Sequence, residues 1–217
     1  MTGTRRVSIA TVGHEVPVPL PYARGMSTDV RSPTRRDTLL VQLRELFLAE
    51  GFSSFGIGDL AERLRCSRTT LYSVAPSKEQ LVVAVVRSFF HSAAERIEAR
   101  VAASSDPRER LRIYLDSVAE ELQPVSERFF TDVAAFAPAN DVYRANTQFA
   151  AQRVQELVTE GVEAGALRPV HASFVGACVA QIMNAIQRGD LQTSTGLDAA
   201  EAYRHLADLI LTSLAKD

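Results

Sequence analysis

Residues 51–73 have the pattern of two short helices joined by a tight turn. Asp-Leu-Ala at 59–61 marks the first helix, and small polar and basic residues begin the second, which we expect to run from Ser67 to Ser73. An α-helix fits the major groove of B-DNA, and short side chains let its backbone approach the DNA closely. The pattern therefore predicts a helix-turn-helix that contacts DNA. The DNA-contacting residues expected in its second helix are Ser67, Arg68, Thr69, Thr70, Tyr72 and Ser73.

Residues 34–81 contain an amphipathic helix followed by four motifs in order: Ala-Glu-Gly-Phe at 49–52, Asp-Leu-Ala at 59–61, Ser-Arg-Thr-Thr-Leu-Tyr at 67–72 and Pro-Ser-Lys-Glu-Gln-Leu at 76–81. This order and spacing resemble the amino-terminal domain of the TetR family of transcriptional regulators. Several linked motifs are more specific than a lone helix-turn-helix pattern. The resemblance implies an all-α fold of about nine helices. It also implies a helix-turn-helix domain at 34–80, followed by a helical ligand-binding and dimerisation domain at 81–217.

Four residues, Phe55, Gly56, Arg65 and Ala75, depart from the family's pattern. The family usually has Thr or Ser where Phe55 and Gly56 stand, and that hydroxyl caps a helix and meets a phosphate. Arg65 replaces a turn glycine, so either it adopts a left-handed backbone conformation or the turn is reshaped. Ala75 replaces a Phe and loosens a packing contact. The operator sequence therefore cannot be copied from relatives.

The resemblance also implies that the starts of two other helices approach DNA. The residues concerned are Thr34, Arg35, Arg36 and Lys78. Exposed backbone N–H groups at a helix start favour a phosphate, and the basic side chains add charge. The alternative is that these cations are ordinary solvated side chains.

Residues 1–33 contain four of the nine prolines and show no helical periodicity, which predicts a mobile arm that is not packed. Met26 lies shortly before the first predicted helix and is an alternative start of the natural protein. A competing interpretation is a basic arm whose four arginines add nonspecific phosphate contacts.

The net charge of −2 is unevenly distributed along the chain. Residues 1–78 contain eleven Lys or Arg against seven Asp or Glu, whereas residues 79–217 contain thirteen against nineteen. The positive charge therefore lies with the predicted helix-turn-helix, as expected for a protein that binds DNA at one end.

The composition, with 46% hydrophobic and 23% charged residues, is typical of a globular protein. No apolar run approaches the roughly 20 residues that a membrane helix needs, so we expect a cytoplasmic protein. The two cysteines, Cys66 and Cys178, lie in different predicted domains and indicate neither a disulfide nor a metal site. The histidines have no metal-ligand spacing, and no phosphate loop or nucleophile elbow is present. We therefore expect no cofactor, no metal and no enzymatic activity.

The second domain mixes aromatic and polar residues in a way that suggests a cavity for a small, mostly apolar effector. The candidate ligand-binding residues are Phe89, Phe90, Phe129, Phe130, Phe136, Tyr143, Gln181 and Asn184. The competing interpretation is that these aromatic residues simply fill a core.

The last two predicted helices carry more apolar residues than one helix face needs. These residues are Phe174, Val175, Cys178, Val179, Ile182, Ile186, Tyr203, Leu206, Leu209, Ile210 and Leu214. In the TetR family these two helices pair with their counterparts across a twofold axis. A homodimer would also place two helix-turn-helices on a palindromic operator.

The sequence thus favours a homodimeric, ligand-responsive regulator of transcription, most readily a repressor. Two alternatives stay open at this stage. The four departures are also compatible with a helical interaction module that has lost specific DNA binding, and the third possibility is a small helical enzyme. Binding to a specific DNA sequence would distinguish a regulator of transcription from an interaction module or an enzyme.

Overall fold

The computed structural model describes residues 34–216, which form ten α-helices and contain no β-strand. The all-α prediction is therefore confirmed, while the expected arm, its basic alternative and the Met26 start concern residues 1–33 and lie outside the described part. The helices are α1 (Arg35–Glu50), α2 (Ile57–Arg63), α3 (Arg68–Tyr72), α4 (Lys78–Val101), α5 (Pro107–Leu122), α6 (Glu127–Ala135), α7 (Ala137–Glu163), α8 (Ala172–Gln187), α9 (Asp190–Thr195) and α10 (Ala199–Leu214).

Short polar side chains determine where most helices begin. Thr34 caps α1 in a capping box with Asp37: the Thr34 hydroxyl accepts from the Asp37 N–H at 3.2 Å, and the Asp37 carboxylate accepts from the Thr34 N–H at 3.0 Å. The Thr34 hydroxyl also donates to the Asp37 carboxylate at 2.7 Å, and this bond, with the one from the Thr34 N–H, holds the pKa of Asp37 below its usual value. Ser or Asp side chains at the starts of α3, α4, α5, α6 and α10 likewise accept a hydrogen bond from a backbone N–H in the first turn, and His171 does so for α8. Because such caps are local, the sequence predicts most helix starts closely.

Helix α9 is the one described helix that the sequence did not predict. It is flanked by Gly189 and Gly196, both with positive φ (74° and 77°), and its six residues have no apolar periodicity. Arg188 pairs with Asp190 at 2.8 Å, and the Gln192 amide donates to Glu127 on α6. Tertiary contacts therefore support a segment whose own sequence reads as a loop.

Helix α4 connects the first three helices to the rest of the fold. It packs against α1 near its start and against α5 and α7 along its length, while α10 packs on α5 and α8. Helices α7 and α8 approach closely at Gly176, where a Cβ would lie 2.9 Å from the carbonyl oxygen of Ala151. Residues 34–216 form one compact unit, so the boundary at 80/81 stays a prediction.

A chain of aromatic rings runs through the core. Successive ring centroids lie 4.9–6.3 Å apart, a range in which tilted and edge-to-face pairs are favourable. In order of contact, the rings are Phe47, Phe52, Phe129, Phe89, Phe90 and Tyr143. The chain joins the end of α1 to the middle of α7, so one continuous core underlies the helix-turn-helix and the remaining helices.

Among residues 34–216, no helix is both long and apolar enough to cross a bilayer.

Candidate nucleic-acid interface and effector cavity

The turn between α2 and α3 accommodates Arg65 in a left-handed conformation. The Cys66 N–H donates to the Ala61 carbonyl at 2.9 Å, and the Arg65 N–H donates to the Glu62 carbonyl at 3.1 Å. These two bonds form a Schellman motif, which usually has glycine at the left-handed position. Arg65 takes that position with φ of 49° and is the only non-glycine residue with positive φ between 34 and 216. The turn therefore keeps a common shape despite the arginine.

The start of α2 is capped from within the helix. The Asp59 carboxylate accepts from the Gly56 N–H at 2.8 Å, which is the half of a capping box that needs no hydroxyl, while Gly56 supplies no side-chain cap. The Phe55 ring lies beneath the Arg63 guanidinium, 5.6 Å from its central carbon. Phe55 and Gly56 thus have structural partners, but neither presents a hydroxyl to a phosphate.

The predicted recognition helix is α3, with Ser67 and Ser73 as its cap residues. The Ser67 hydroxyl accepts from the Thr70 N–H at 3.0 Å and lies 2.8 Å from the Thr70 hydroxyl. The hydroxyl of Ser73 donates to the Thr70 carbonyl at 2.7 Å. Arg68 and Thr69 are exposed, and Tyr72 is 47% exposed although it is aromatic. The six candidate residues therefore share one short helix and its caps, and all of them except Thr70 are exposed.

Arg68 folds back over the start of α2. A Cβ placed on Gly58 would lie only 3.1 Å from an Arg68 guanidinium nitrogen, so the glycine leaves room for this side chain. The sequence analysis missed Gly58, since a glycine in the first turn of a helix gives no sign of which distant side chain covers it.

The basic residues at the starts of α1 and α4 lie beside the same helix-turn-helix. Arg35 and Arg36 are both exposed, and Arg36 donates to the carbonyl of Val74 at 3.3 Å. The Lys78 ammonium donates to the Ser53 carbonyl at 3.2 Å. Arg36 and Lys78 thus tie neighbouring segments together and still present charge at the surface.

Ala75 is buried, and an open groove of about 420 Å³ lies beside it. Residues of α4, among them Val83 and Ala84, line the other side of this groove. The replacement of a larger family residue by alanine thus coincides with a local gap in packing.

A carboxylate from outside the helix-turn-helix holds the turn after α1. Asp132 on α6 accepts from the N–H groups of Phe52 and Ser53 at 2.6 and 2.8 Å and from the Ser53 hydroxyl at 2.6 Å. Burial alone would raise the pKa of Asp132, but the hydrogen bonds from Ser53 and Phe52 outweigh it and hold this pKa below its usual value. The carboxylate is therefore ionised at neutral pH. Sequence reasoning missed it because the partners are 79 and 80 residues apart.

Three of the eight candidate ligand residues, Phe89, Phe90 and Tyr143, line a cavity beside α4. Its volume is about 50 Å³, and Tyr114, Phe149 and Tyr203 are among the other lining residues. Such a space has room for water rather than for an organic effector.

The other five candidates are dispersed. Phe130 lines a separate cleft of about 420 Å³ among α6, α8, α9 and α10. Phe129 is fully buried, and Phe136 packs edge-on against Phe52. Gln181 is exposed and Asn184 half-buried, and neither is among the residues that line the cavity or the cleft.

The cavity walls are aromatic, and the carboxylates among them are paired with arginines. The Tyr143 and Tyr203 hydroxyls lie 3.0 Å apart, and burial raises the pKa of both phenols, so both are neutral. The lining carboxylates of Glu98 and Glu121 each accept from an arginine, Arg153 at 2.9 Å and Arg96 at 2.8 Å. The walls therefore favour an apolar or π-binding ligand over a strongly charged one.

Helices α8 and α10 expose fewer apolar residues than the sequence indicated. The side chains of Val179, Ile186, Tyr203, Leu206, Ile210 and Leu214 lie in the core of the protomer. Leu206 and Ile210, two of these residues, are only 6% and 7% exposed and leave little surface for a partner to cover. Phe174 and Leu209 are 67% and 62% exposed and are the better interface candidates.

We predict that Arg65→Gly stabilises the protein. Glycine adopts φ of 49° without a Cβ clash, so the free energy of unfolding should rise by about 0.5–1 kcal/mol, measured by urea unfolding with an unchanged m value. As a control, Arg63→Gly in the helical part of α2 should lower it by about 1 kcal/mol. A loss of stability in Arg65→Gly would contradict the left-handed assignment.

Comparison with known proteins agrees with this architecture. The model of the family described as "Bacterial regulatory proteins, tetR family" matches residues 39–85, which include α1, α2, α3 and the start of α4. The chain is also 24% identical over 151 residues to the HTH-type transcriptional activator FasR of Mycolicibacterium smegmatis, covering 67% of this chain and 69% of that protein.

Solved structures share the whole fold at low identity. A transcriptional regulator from Saccharomonospora viridis in complex with choline has a TM-score of 0.67 and 20% identity, over 84% of this chain and 98% of that one. AibR in complex with isovaleryl coenzyme A and operator DNA has a TM-score of 0.57 and 17% identity, over 84% and 98%. The family and these relatives are regulators of transcription, not enzymes. The segment from α1 to the start of α4 therefore matches the tetR family of bacterial regulatory proteins, and it is similar to the DNA-binding domain of those regulators.

Proposed function

We propose that this regulator is a homodimeric, cytoplasmic repressor that releases a palindromic operator when it binds a small, mostly apolar effector. The observation that carries the proposal is the position of α4. Lys78 at its start bonds the helix-turn-helix through the Ser53 carbonyl, while Phe89 and Phe90 farther along the same helix line the cavity. One helix thus contacts both regions.

The proposed DNA surface comprises Thr34, Arg35, Arg36, Ser67, Arg68, Thr69, Thr70, Tyr72, Ser73 and Lys78. Its support is the exposure of Arg68, Thr69 and Tyr72 on one short helix with basic residues on either side. The structural relative AibR was solved with operator DNA. A single helix of five residues offers few base contacts, so specificity requires a second copy about one DNA turn, roughly 34 Å, away.

The effector must enlarge the cavity that it enters. Because about 50 Å³ does not admit an organic molecule, binding has to move aromatic side chains of α4, α5 and α7 apart. A ligand that binds this opened state better than the DNA-bound state lowers operator affinity, and a tenfold loss needs about 1.4 kcal/mol of coupling. Choline, a cation that aromatic rings bind, and isovaleryl coenzyme A, of which only the apolar acyl end suits these walls, are ligands of two structural relatives and the first compounds to test.

The direction of regulation depends on where the operator lies relative to the promoter. The relative FasR is named an activator. A reporter gene behind the natural promoter, measured with and without the regulator, distinguishes repression from activation. The alternative function, a helical interaction module without specific DNA binding, is tested by selection from a random DNA duplex library, because such a module enriches no sequence.

We expect Arg68→Ala to weaken binding to the selected operator by about 1–3 kcal/mol, because it removes a base or phosphate contact from the recognition helix. Lys78→Ala should weaken binding to all sequences alike and reduce the salt dependence by about one counterion. Fluorescence anisotropy across a salt series measures both effects. The control is Arg108→Ala, an exposed arginine at the start of α5. Unchanged operator binding in both test variants would contradict the proposed surface.

Phe174→Asp and Leu209→Asp should give monomers, because each places a charge where an exposed apolar side chain is proposed to be covered by the partner. The masses are measured by light scattering at micromolar concentration. Val41→Asp on α1 is the matched control, since Val41 is also an exposed apolar residue, at 40%, but lies outside α8 and α10. A wild-type monomer, or unaltered dimers in both variants, would rule out this interface.

Ala93→Phe should lower operator affinity without effector and abolish any further response to it, because Ala93 is buried and lines the cavity, and a phenyl ring does not fit in about 50 Å³ without separating the same rings. Ala99→Phe, at an exposed position of the same helix, should respond like the wild type. Melting temperature and operator affinity are measured with choline, isovaleryl coenzyme A and neutral compounds of similar size. A response that survives Ala93→Phe would place the effector elsewhere, the first candidate being the cleft that Phe130 lines.

A further inference from the structure

The turn that follows α1 is held from two sides by residues outside it. On one side, Asp132 of α6 accepts the three hydrogen bonds described above from Phe52 and Ser53. On the other side, Lys78 of α4 donates to the Ser53 carbonyl. We call Asp132 and its contacts with residues 51–53 the Asp132 anchor.

The backbone at Gly51 makes room for the Asp132 anchor. Gly51 has φ of 74°, and a Cβ there would lie 2.5 Å from a carboxylate oxygen of Asp132 and 2.8 Å from the Arg128 side chain. Only glycine therefore allows α1 to end directly against α6. The Ser126 N–H, at the cap of α6, also donates to the Leu48 carbonyl at 2.8 Å.

Apolar packing continues the same contact. The Phe52 ring lies edge-on to Phe129 of α6, with centroids 6.1 Å apart, and both side chains are buried. The opposite side of α6 lines the 420 Å³ cleft with Phe130, Thr131 and Ala134. Helix α6 thus lies between the cleft and the helix-turn-helix.

We propose that Asp132 is a positioning residue for DNA binding: its carboxylate holds the turn between α1 and α2 and so sets the orientation of α2 and α3. The inference rests on the proposed function, because orientation matters only if α3 reads DNA. It adds α6 as a second connection to the helix-turn-helix beside α4. Without the anchor, the helix-turn-helix samples more orientations, and operator affinity falls in proportion to the fraction that fits DNA.

The charge of Asp132 allows positioning and electrostatics to be distinguished, because they predict opposite changes in operator affinity when the carboxylate is removed. Asp132 is acidic, and removing a negative charge from a DNA-binding protein should strengthen DNA binding if long-range electrostatics alone decides the result. The anchor predicts the opposite. A loss of operator affinity in Asp132→Ala therefore identifies positioning rather than charge.

The experiment measures operator and random-sequence DNA binding of the full-length wild type, Asp132→Ala and Asp132→Asn, using the selected operator. Asp132→Ala should bind the operator at least about tenfold more weakly, since charged buried hydrogen bonds are lost, while random-sequence binding stays within twofold. Asp132→Asn should bind between the two, because its amide oxygen can still accept from the backbone N–H groups. Asp141→Ala, an exposed aspartate of α7, is the control and should match the wild type.

Hydrogen exchange provides a second readout that does not depend on DNA. The amides of Phe52 and Ser53, together with α2 and α3, should exchange faster in Asp132→Ala, while α7 and α8 keep their wild-type rates. If Asp132→Ala does not fold, Asp132→Asn and Ser53→Ala take its place, and each should show a smaller loss of operator affinity.

The outcomes separate this inference from the proposed function. A wild type that selects no DNA sequence overturns both. A wild type that binds its operator, with folded Asp132 variants that bind equally well, overturns the anchor alone. Equal losses on operator and random DNA also overturn it, because positioning acts on specific binding.

Discussion

The buried contact between the end of α1 and helix α6 is the constraint on which the rest of this structure depends. Phe47 and Phe52 bring the helix-turn-helix into the core, and Phe129 and Phe89 continue the packing toward the cavity. A close-packed core transmits displacement because it has no spare volume to absorb it. A shift of the rings beside α4 or α6 therefore has to be accommodated at the turn that precedes α2.

Two helices support the helix-turn-helix by different physical means. Helix α4 follows α3 in the chain after a short connection. Its Lys78 adds a weak, exposed hydrogen bond to the Ser53 carbonyl. Helix α6 contributes an ionised, largely buried carboxylate with three short bonds. Charge-assisted bonds of this kind are stronger and more directional than a surface contact. A ligand that moves α4 alone thus works against a fixed point at α6, whereas one that moves both helices releases the turn.

The sequence predicts what local chemistry determines. Thr34, Ser67 and Ser77 cap helices that begin where the sequence indicates, and of the two alternatives for Arg65 the left-handed backbone is the one observed. It does not predict Asp132, whose partners are about eighty residues away, or α9, which tertiary contacts support. Apolar periodicity on α10 likewise cannot tell a protomer core from an interface, and Leu206 and Ile210 lie in the core of the protomer.

The small cavity changes how control of DNA binding has to be understood. With about 50 Å³ among aromatic rings, the cavity has no room for an organic effector, so under the proposed function binding has to separate the rings of α4, α5 and α7. The effector must therefore offset the cost of separating packed rings, which reduces its apparent affinity by the fraction of molecules that are open. The same cost favours the DNA-competent state when no effector is present. A tightly packed aromatic core thus favours operator binding and disfavours effector binding. Substitutions that loosen this core should lower operator affinity and raise effector affinity together.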